Sequence, residues 1–383
     1  MARLNPQALG RLRDTLAEQV ARERIPGAVM VVAQGGGEPQ LFEAIGRRDP
    51  AAGDAMARDA IFRIYSMTKP IVSLAALMLA EQGKLQLTDP VAAYLPAFAQ
   101  QQVARELDGQ VLLEPARRQA TVHDLLRHTA GLSYEFLGNS AVQQRYTEVD
   151  IGKRSRSNLE ASELLAGLPL AHQPGSCWHY SRATDVLGAV IEVASGQPLG
   201  AFLQQSILGP LGMVDTGFAV PPSAFGRIAE PFARCPDSGA AVHMMDAREV
   251  PRLESGGGGL VSTAADYTRF LQLLRGMGSF EGQRLVSRTT IEWMAADHLG
   301  AIPAVGELLP PGHGFGLGLA VRLATGLGPQ PGSAGMVYWS GIGGTSFFVD
   351  PAQDMFAMLL LQAPNQRVHY RNLFRHLVYA ALD

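Results

Sequence analysis

The chain is poor in lysine and cysteine and holds no long apolar run. Lys69, Lys84 and Lys153 are the only ammonium side chains among 32 basic residues, so nearly every cation is a guanidinium. The net charge of −3 and pI near 6.3 provide no electrostatic footprint for nucleic acid or an anionic membrane surface. Two cysteines, Cys177 and Cys235, are too few for a disulfide framework. They read as free thiols of a reducing compartment, and a cytoplasmic location is expected. The longest apolar run, Ile71 to Ala80, is too short to span a bilayer. Residues 1–20 scatter Arg3, Arg11 and Arg13 among isolated leucines, with neither the apolar core nor the cleavage site of a signal peptide. Gly-x-Ser-x-Gly is absent, which argues against a nucleophile elbow with a Ser-His-Asp triad. His-Glu-x-x-His and Cys-x-x-Cys are absent too, so no metal and no cofactor are expected. Gly256-Gly257-Gly258-Gly259 lacks the lysine and spacing of a phosphate-binding loop and reads as a tight turn entering the helix Ala264 to Arg275, with Ser262 or Thr263 as its cap.

What is present is an ordinary globular composition, 47% hydrophobic and 17% charged, in a 383-residue chain long enough for about two lobes. Asn5-Pro6 caps a helix with Leu9, Leu12, Leu16 and Val20 at helical spacing. Gly27 to Ala33 and Leu41 to Ile45 read as a hairpin through Gly35-Gly36-Gly37. At the other end, Met336 to Ser340, Ser346 to Asp350 and Met355 to Leu361 read as strands, followed by an amphipathic helix from Gln366. One antiparallel sheet built from both chain ends buries these faces most economically. The middle shows helical patterns, as in Val122 to His128, Leu159 to Leu168, Ala183 to Ser195 and Gly200 to Leu208, with little β-alternation. Residues 213–255 carry no assignable pattern. The expected fold class is α+β: residues 1–84 and 256–383 form a discontinuous lobe, an antiparallel sheet flanked by the N- and C-terminal helices. Residues 85–255 form an inserted, mainly helical lobe, with the active site between the two.

Phe62 to Pro70 and the apolar run after it form the most informative stretch. Pro70, the good helix formers after it and Gly83 predict a helix starting near Ser66 and apolar on nearly every side. Ser66 and Lys69 interrupt it three residues apart, which brings the amine over the hydroxyl. A buried lysine tends to lose its proton, and a neutral amine beside a serine is a general base. Tyr180 lies between the turn at Pro174-Gly175, which would expose it, and the helix resuming at Ala183.

Ser66-Met67-Thr68-Lys69 is the Ser-x-x-Lys motif of serine β-lactamases and penicillin-binding proteins. Further landmarks follow in order: Gly83-Lys84-Leu85 through Asp89-Pro90 to Tyr94-Leu95-Pro96, then Leu125 to Leu132, then Pro174-Gly175 through Tyr180-Ser181, then Gly256 to Ala264, then Trp339-Ser340-Gly341. With them the chain resembles the family VIII carboxylesterases, which share the class C β-lactamase fold. The resemblance implies a β-lactamase-like fold and an acyl-enzyme on Ser66, with Lys69 and Tyr180 as acid/base pair. It implies an oxyanion hole from the backbone N–H groups of Ser66 and Ile342, and substrate contacts from Trp339, Ser340 and Gly341. Tyr134 is a candidate pocket wall. The ionised form of Tyr180 is expected to draw on Lys69 as its cation. His128 and Asp185 read as structural.

Two positions depart from the β-lactamase pattern. Arg182 stands where those enzymes carry asparagine, and Trp339 where they carry the lysine of Lys-Thr-Gly, so a small neutral ester is the expected substrate rather than an anionic β-lactam. Arg182, or another guanidinium, is the candidate to replace the missing charge. The alternatives are a β-lactamase, D-alanyl peptidase or acyltransferase using the same site, and a non-catalytic ligand-binding scaffold. The intact Ser66, Lys69 and Tyr180 speak against the scaffold.

Overall fold

The computed structural model describes residues 3–107 and 110–383; the first two positions of the segment 1–84 lie outside the described residues. Asn5 caps the first helix, α1 (Pro6–Ala21), by accepting from the N–H groups of Gln7 and Ala8, and Leu9, Leu12 and Leu16 form its buried stripe. Strands β1 (Gly27–Gln34) and β2 (Leu41–Asp49) pair antiparallel, as the hairpin reading expected, and β3 (Asp54–Ala55) continues the edge. After β4 (Phe62–Arg63) a 3₁₀ turn at Tyr65–Met67 leads into α2 (Thr68–Glu81). Ser66 therefore sits in the tight turn before the helix rather than in its first α-turn, and every residue from Thr68 to Leu79 is buried.

The next stretch adds a hairpin to the segment read as mainly helical. Strands β5 (Gln102–Leu107) and β6 (Gln110–Pro115) pair antiparallel where little β-alternation was expected. Leu107, Val111, Leu112 and Leu113 are all exposed there, so the in-out alternation that marks a half-buried strand is absent from the sequence. Five helices follow: α3 (Val122–Leu126), α4 (Ala141–Glu148), α5 (Asn158–Ala166), α6 (Ala183–Ser195) and α7 (Leu199–Leu203), the last running on into a π-helical turn, Gln204–Leu208. Residues 213–255 form one short 3₁₀ helix, Pro222–Arg227, and are otherwise irregular. Guanidinium anchors hold much of this segment: Arg227 pairs with Asp215 and Asp59, Arg248 with Glu230 and Asp246, and buried Arg63 with Glu230. Such long-range side-chain ties leave no periodic trace in sequence.

Strand β7 (Val261–Ser262) pairs with β4 just after the glycine turn, and α8 (Ala264–Arg275) starts at its Thr263 cap, as expected. A small hairpin, β8 (Ser279–Phe280) with β9 (Gln283–Arg284), and the helix α9 (Arg288–Met294) come next. The chain ends in β10 (His313–Phe315), β11 (Ala320–Arg322), β12 (Val337–Ser340), β13 (Ser346–Asp350), β14 (Met355–Leu361) and α10 (Arg367–Tyr379). The main sheet has eight strands in the order β10-β11-β12-β13-β14-β1-β2-β3, every neighbouring pair antiparallel. The two ends of the chain meet inside it at the β14–β1 pair, with Val31 opposite Met358. The main apolar core runs from α1 and the sheet through α2 to α6, and a second, smaller cluster gathers Ile61, Val220, Ala224, Ile228, Ala247 and Val261.

Candidate active site

The turn that carries Ser66 is held from several sides. Tyr65, just before it, has φ of 45°, a left-handed conformation that non-glycine residues rarely adopt, and its hydroxyl accepts from the Met245 N–H at 2.9 Å. Thr345 donates its hydroxyl to the Ile64 carbonyl at 3.2 Å, tying the loop after β12 to the same turn. At Gly341 a Cβ would stand 2.3 Å from that carbonyl, and at Gly343 one would stand 2.9 Å from the Tyr65 ring. These glycines let the end of β12 lie directly against the nucleophile segment. A Cβ on Gly258 would lie 3.9 Å from the Ser66 nitrogen, so the glycine turn closes another side.

Within this frame the Lys69 ammonium position is fully buried. Its Nζ lies 2.6 Å from the Gly257 carbonyl, 2.9 Å from the Tyr134 hydroxyl and 3.3 Å from Ser66 Oγ. Burial pulls Lys69 down to about 7; the Asp185 carboxylate partly offsets this and Arg182 adds to it. As a neutral amine it has two N–H groups for Gly257 and Tyr134, leaving its lone pair for the Ser66 proton.

Tyr180 lies within hydrogen-bonding reach of Ser66, and the Lys69 Nζ sits 4.6 Å from its ring centre. The expectation that Lys69 would ionise this phenol is corrected. Burial pushes Tyr180 well up, and a lysine poised near neutrality over the ring face does not reverse that, so Tyr180 is a neutral phenol. Burial holds Tyr134 in the same state. Sequence reasoning gave Tyr134 only a place in the pocket wall. The structure puts its hydroxyl on the amine, and only its position just beyond the His128-to-Leu132 stretch hinted at this.

Trp339 is buried, and its Nε1 donates to the Tyr180 hydroxyl at 3.2 Å. Aromatic rings continue on both sides, with Tyr134 5.3 Å from Tyr180, Trp339 5.2 Å from Tyr180 and Phe315 5.3 Å from Trp339. Ser340 Oγ accepts from Arg371 Nη1 at 2.7 Å. The Ile342 side chain is exposed, and its backbone N–H donates to no group among the described residues. Arg182 is turned inward and spent: it forks onto Glu135 and reaches Asp185 at 3.4 Å. Asp185 accepts from the Gly257 N–H at 3.0 Å and from the Ser255 hydroxyl at 2.5 Å. His128 is buried and neutral, bonded through Nδ1 to Ser181 Oγ at 3.3 Å. Its Nε2 has no partner among the described residues.

A sequence model of the family described as Beta-lactamase matches residues 12–380. The chain belongs to the β-lactamase family. Esterase EstB of Burkholderia gladioli is 37% identical over 93% of this chain and 91% of its own. Among solved structures, EstCE1, described as a hydrolase with promiscuous acyltransferase activity, superposes with a TM-score of 0.79 at 28% identity, covering 98% of this chain and 99% of its own. Simvastatin synthase (LovD) of Aspergillus terreus, at 23% identity and a TM-score of 0.79 over 97% of this chain and 98% of its own, shares the fold. The resemblance read from the motifs and the β-lactamase-like α+β fold are both borne out.

Proposed function

We propose that this protein is a serine hydrolase of carboxylic esters that forms an acyl-enzyme on Ser66. The observation that carries this reading is the buried Lys69 amine, tuned to about 7 and 3.3 Å from Ser66 Oγ. The likeness to Esterase EstB and EstCE1 supports ester chemistry at such a site. Ser66 Oγ attacks the ester carbonyl carbon while its proton passes to Lys69 Nζ. The N–H groups of Ser66 and Ile342 receive the developing oxyanion. As the tetrahedral intermediate collapses, the proton returns to the departing alkoxide by way of the Tyr180 phenol, and the alcohol leaves. Water then attacks the acyl carbon by the reverse route, giving the carboxylic acid and free Ser66. Tyr134 keeps the amine aimed.

Small neutral esters fit this site best. Trp339 replaces the lysine that faces a β-lactam carboxylate and is committed to Tyr180, while Arg182 is committed to Glu135 and Asp185. An anionic group buried there without a cation would cost a few kcal/mol. The test compares kcat/KM for p-nitrophenyl butyrate and a chromogenic cephalosporin in the native protein and in Ser66→Ala. The ester should be much the better substrate, and Ser66→Ala should lose several orders of magnitude while remaining folded. A cephalosporin turned over as fast as the ester would overturn the substrate assignment and point to Arg371 as the replacement cation. Ester turnover surviving in Ser66→Ala would overturn the nucleophile.

A further inference from the structure

Arg182 and Asp185 begin α6, yet neither caps it: no side chain caps the helix at Arg182, and Asp185 points across to the glycine turn. Both are buried, and the surroundings of the Asp185 carboxylate are fully specified. Arg182 Nη1 reaches Oδ2, while the Ser255 hydroxyl and the Gly257 N–H both donate to Oδ1. The same Gly257 presents its carbonyl to Lys69 at 2.6 Å. A side chain at 257 is excluded by this arrangement, since a Cβ would stand 2.8 Å from both Asp185 Oδ2 and the Tyr134 hydroxyl. The Arg182 guanidinium also lies 5.4 Å from the Tyr134 ring centre, so one cation contacts both the carboxylate and the phenol of the Lys69 cradle.

We propose that Asp185 is a positioning residue of the site: held by Arg182, Ser255 and Gly257, its carboxylate fixes the glycine turn so that the Gly257 carbonyl receives the Lys69 amine and leaves its remaining direction for Ser66. The inference rests on reading Lys69 as the base. The groups facing Lys69 are Ser66 from its own turn, His128 and Tyr134 from the stretch after α3, Tyr180, Arg182 and Asp185 from the start of α6, and the Gly257 carbonyl. Asp185 is the only carboxylate in that set; Glu135 stands behind Arg182. The two charges therefore act on Lys69 with opposite sign. Asp185 favours the ammonium, and Arg182 favours the free amine.

The opposition makes the proposal testable without an activity assay. With only Lys69, Lys84 and Lys153 in the chain, ¹³C labelling at lysine Cε gives few enough signals to follow Lys69 directly through a pH titration. In Asp185→Asn the Lys69 midpoint should move down, because an attractive charge is lost and Arg182 is left unbalanced. In Arg182→Gln it should move up, because Asp185 and Glu135 are left unbalanced. The acid limb of the kcat profile, which rises as Lys69 deprotonates, should follow each midpoint. Asp185→Asn should also lower kcat about 10- to 100-fold with little change in KM, the mark of lost alignment rather than lost substrate binding. A purely structural Asp185 predicts lower melting temperatures with the midpoint unmoved, and that result would overturn the proposal. Should Asp185→Asn fail to fold, the upward shift in Arg182→Gln carries the test alone. Failure of the base reading looks different: Lys69→Met would then keep full ester turnover whatever the midpoints do.

Discussion

Lys69 draws its chemistry from having oxygen partners without a carboxylate in direct contact. Two of the three, Gly257 and Tyr134, are a peptide carbonyl and a phenol, uncharged acceptors that hold the ammonium form less strongly than a carboxylate would. The two tyrosines are then separable by experiment. Tyr180→Phe removes the hydroxyl within reach of Ser66 and should lower kcat for p-nitrophenyl butyrate by about 10²- to 10⁴-fold, the scale of lost acid/base catalysis. Tyr134→Phe removes an anchor of the amine and should cost less, about 10- to 100-fold, because the Gly257 carbonyl still holds Lys69. The reverse ranking would move the proton shuttle to Tyr134. Ser66, Lys69 and Tyr180 were legible in sequence because each sits in a local motif. Tyr134 and Asp185 were not, because their meaning comes from contacts with Lys69 and Gly257, far along the chain, and no spacing rule encodes such a contact.

Several short elements converge on one turn, and glycine makes their convergence possible. The end of β12 passes so near the Ser66 segment that Gly341 tolerates no side chain: a Cβ would meet the Ile64 carbonyl at 2.3 Å and Thr345 Oγ1 at 2.5 Å. Gly341→Ala should therefore push the strand end, with Ile342, away from Ser66. The expected outcome is a kcat loss of about 10²-fold or more, the size seen when an oxyanion donor is lost, with far-ultraviolet circular dichroism unchanged. Full activity in Gly341→Ala would mean that the Ile342 N–H is not an oxyanion donor. Longer elements were read correctly from periodicity and caps, as with α1, α8 and the β1–β2 hairpin. Strands β10 and β11, of three residues each, are too short to show a period of two and were missed. The hairpin β5–β6 was missed for the other reason, that most of its apolar residues, Leu107, Val111, Leu112 and Leu113, face solvent.

At the scale of the whole molecule, the ends of the chain are joined. Strand β1 pairs with β14 along seven positions from Ala28 to Gln34, the Asn5 N–H donates to the Ala381 carbonyl at 2.7 Å, and α1 packs against α10. This closure was legible because both ends carry complementary apolar patterns, each needing a cover the other supplies. It also makes the last helix indispensable. Removing residues 367–383 would expose the surface covered by Tyr370, Phe374, Val378 and Ala381, and would strip Ser340 of its Arg371 bond. At about 1.5–3 kcal/mol for each large apolar side chain, the loss approaches the 5–15 kcal/mol that holds a typical fold together. The truncated chain should be insoluble, or soluble without near-ultraviolet dichroism, and unreactive toward a fluorophosphonate probe. Phe374→Ala provides the graded version: a cost of about 3–5 kcal/mol, read as a lower urea midpoint, with Ser66 still labelled in the folded fraction. A soluble truncated chain that still labels at Ser66 would show that the sheet and α1 hold the active site without α10, and that the closure of the chain ends on each other is not what keeps the nucleophile turn in place.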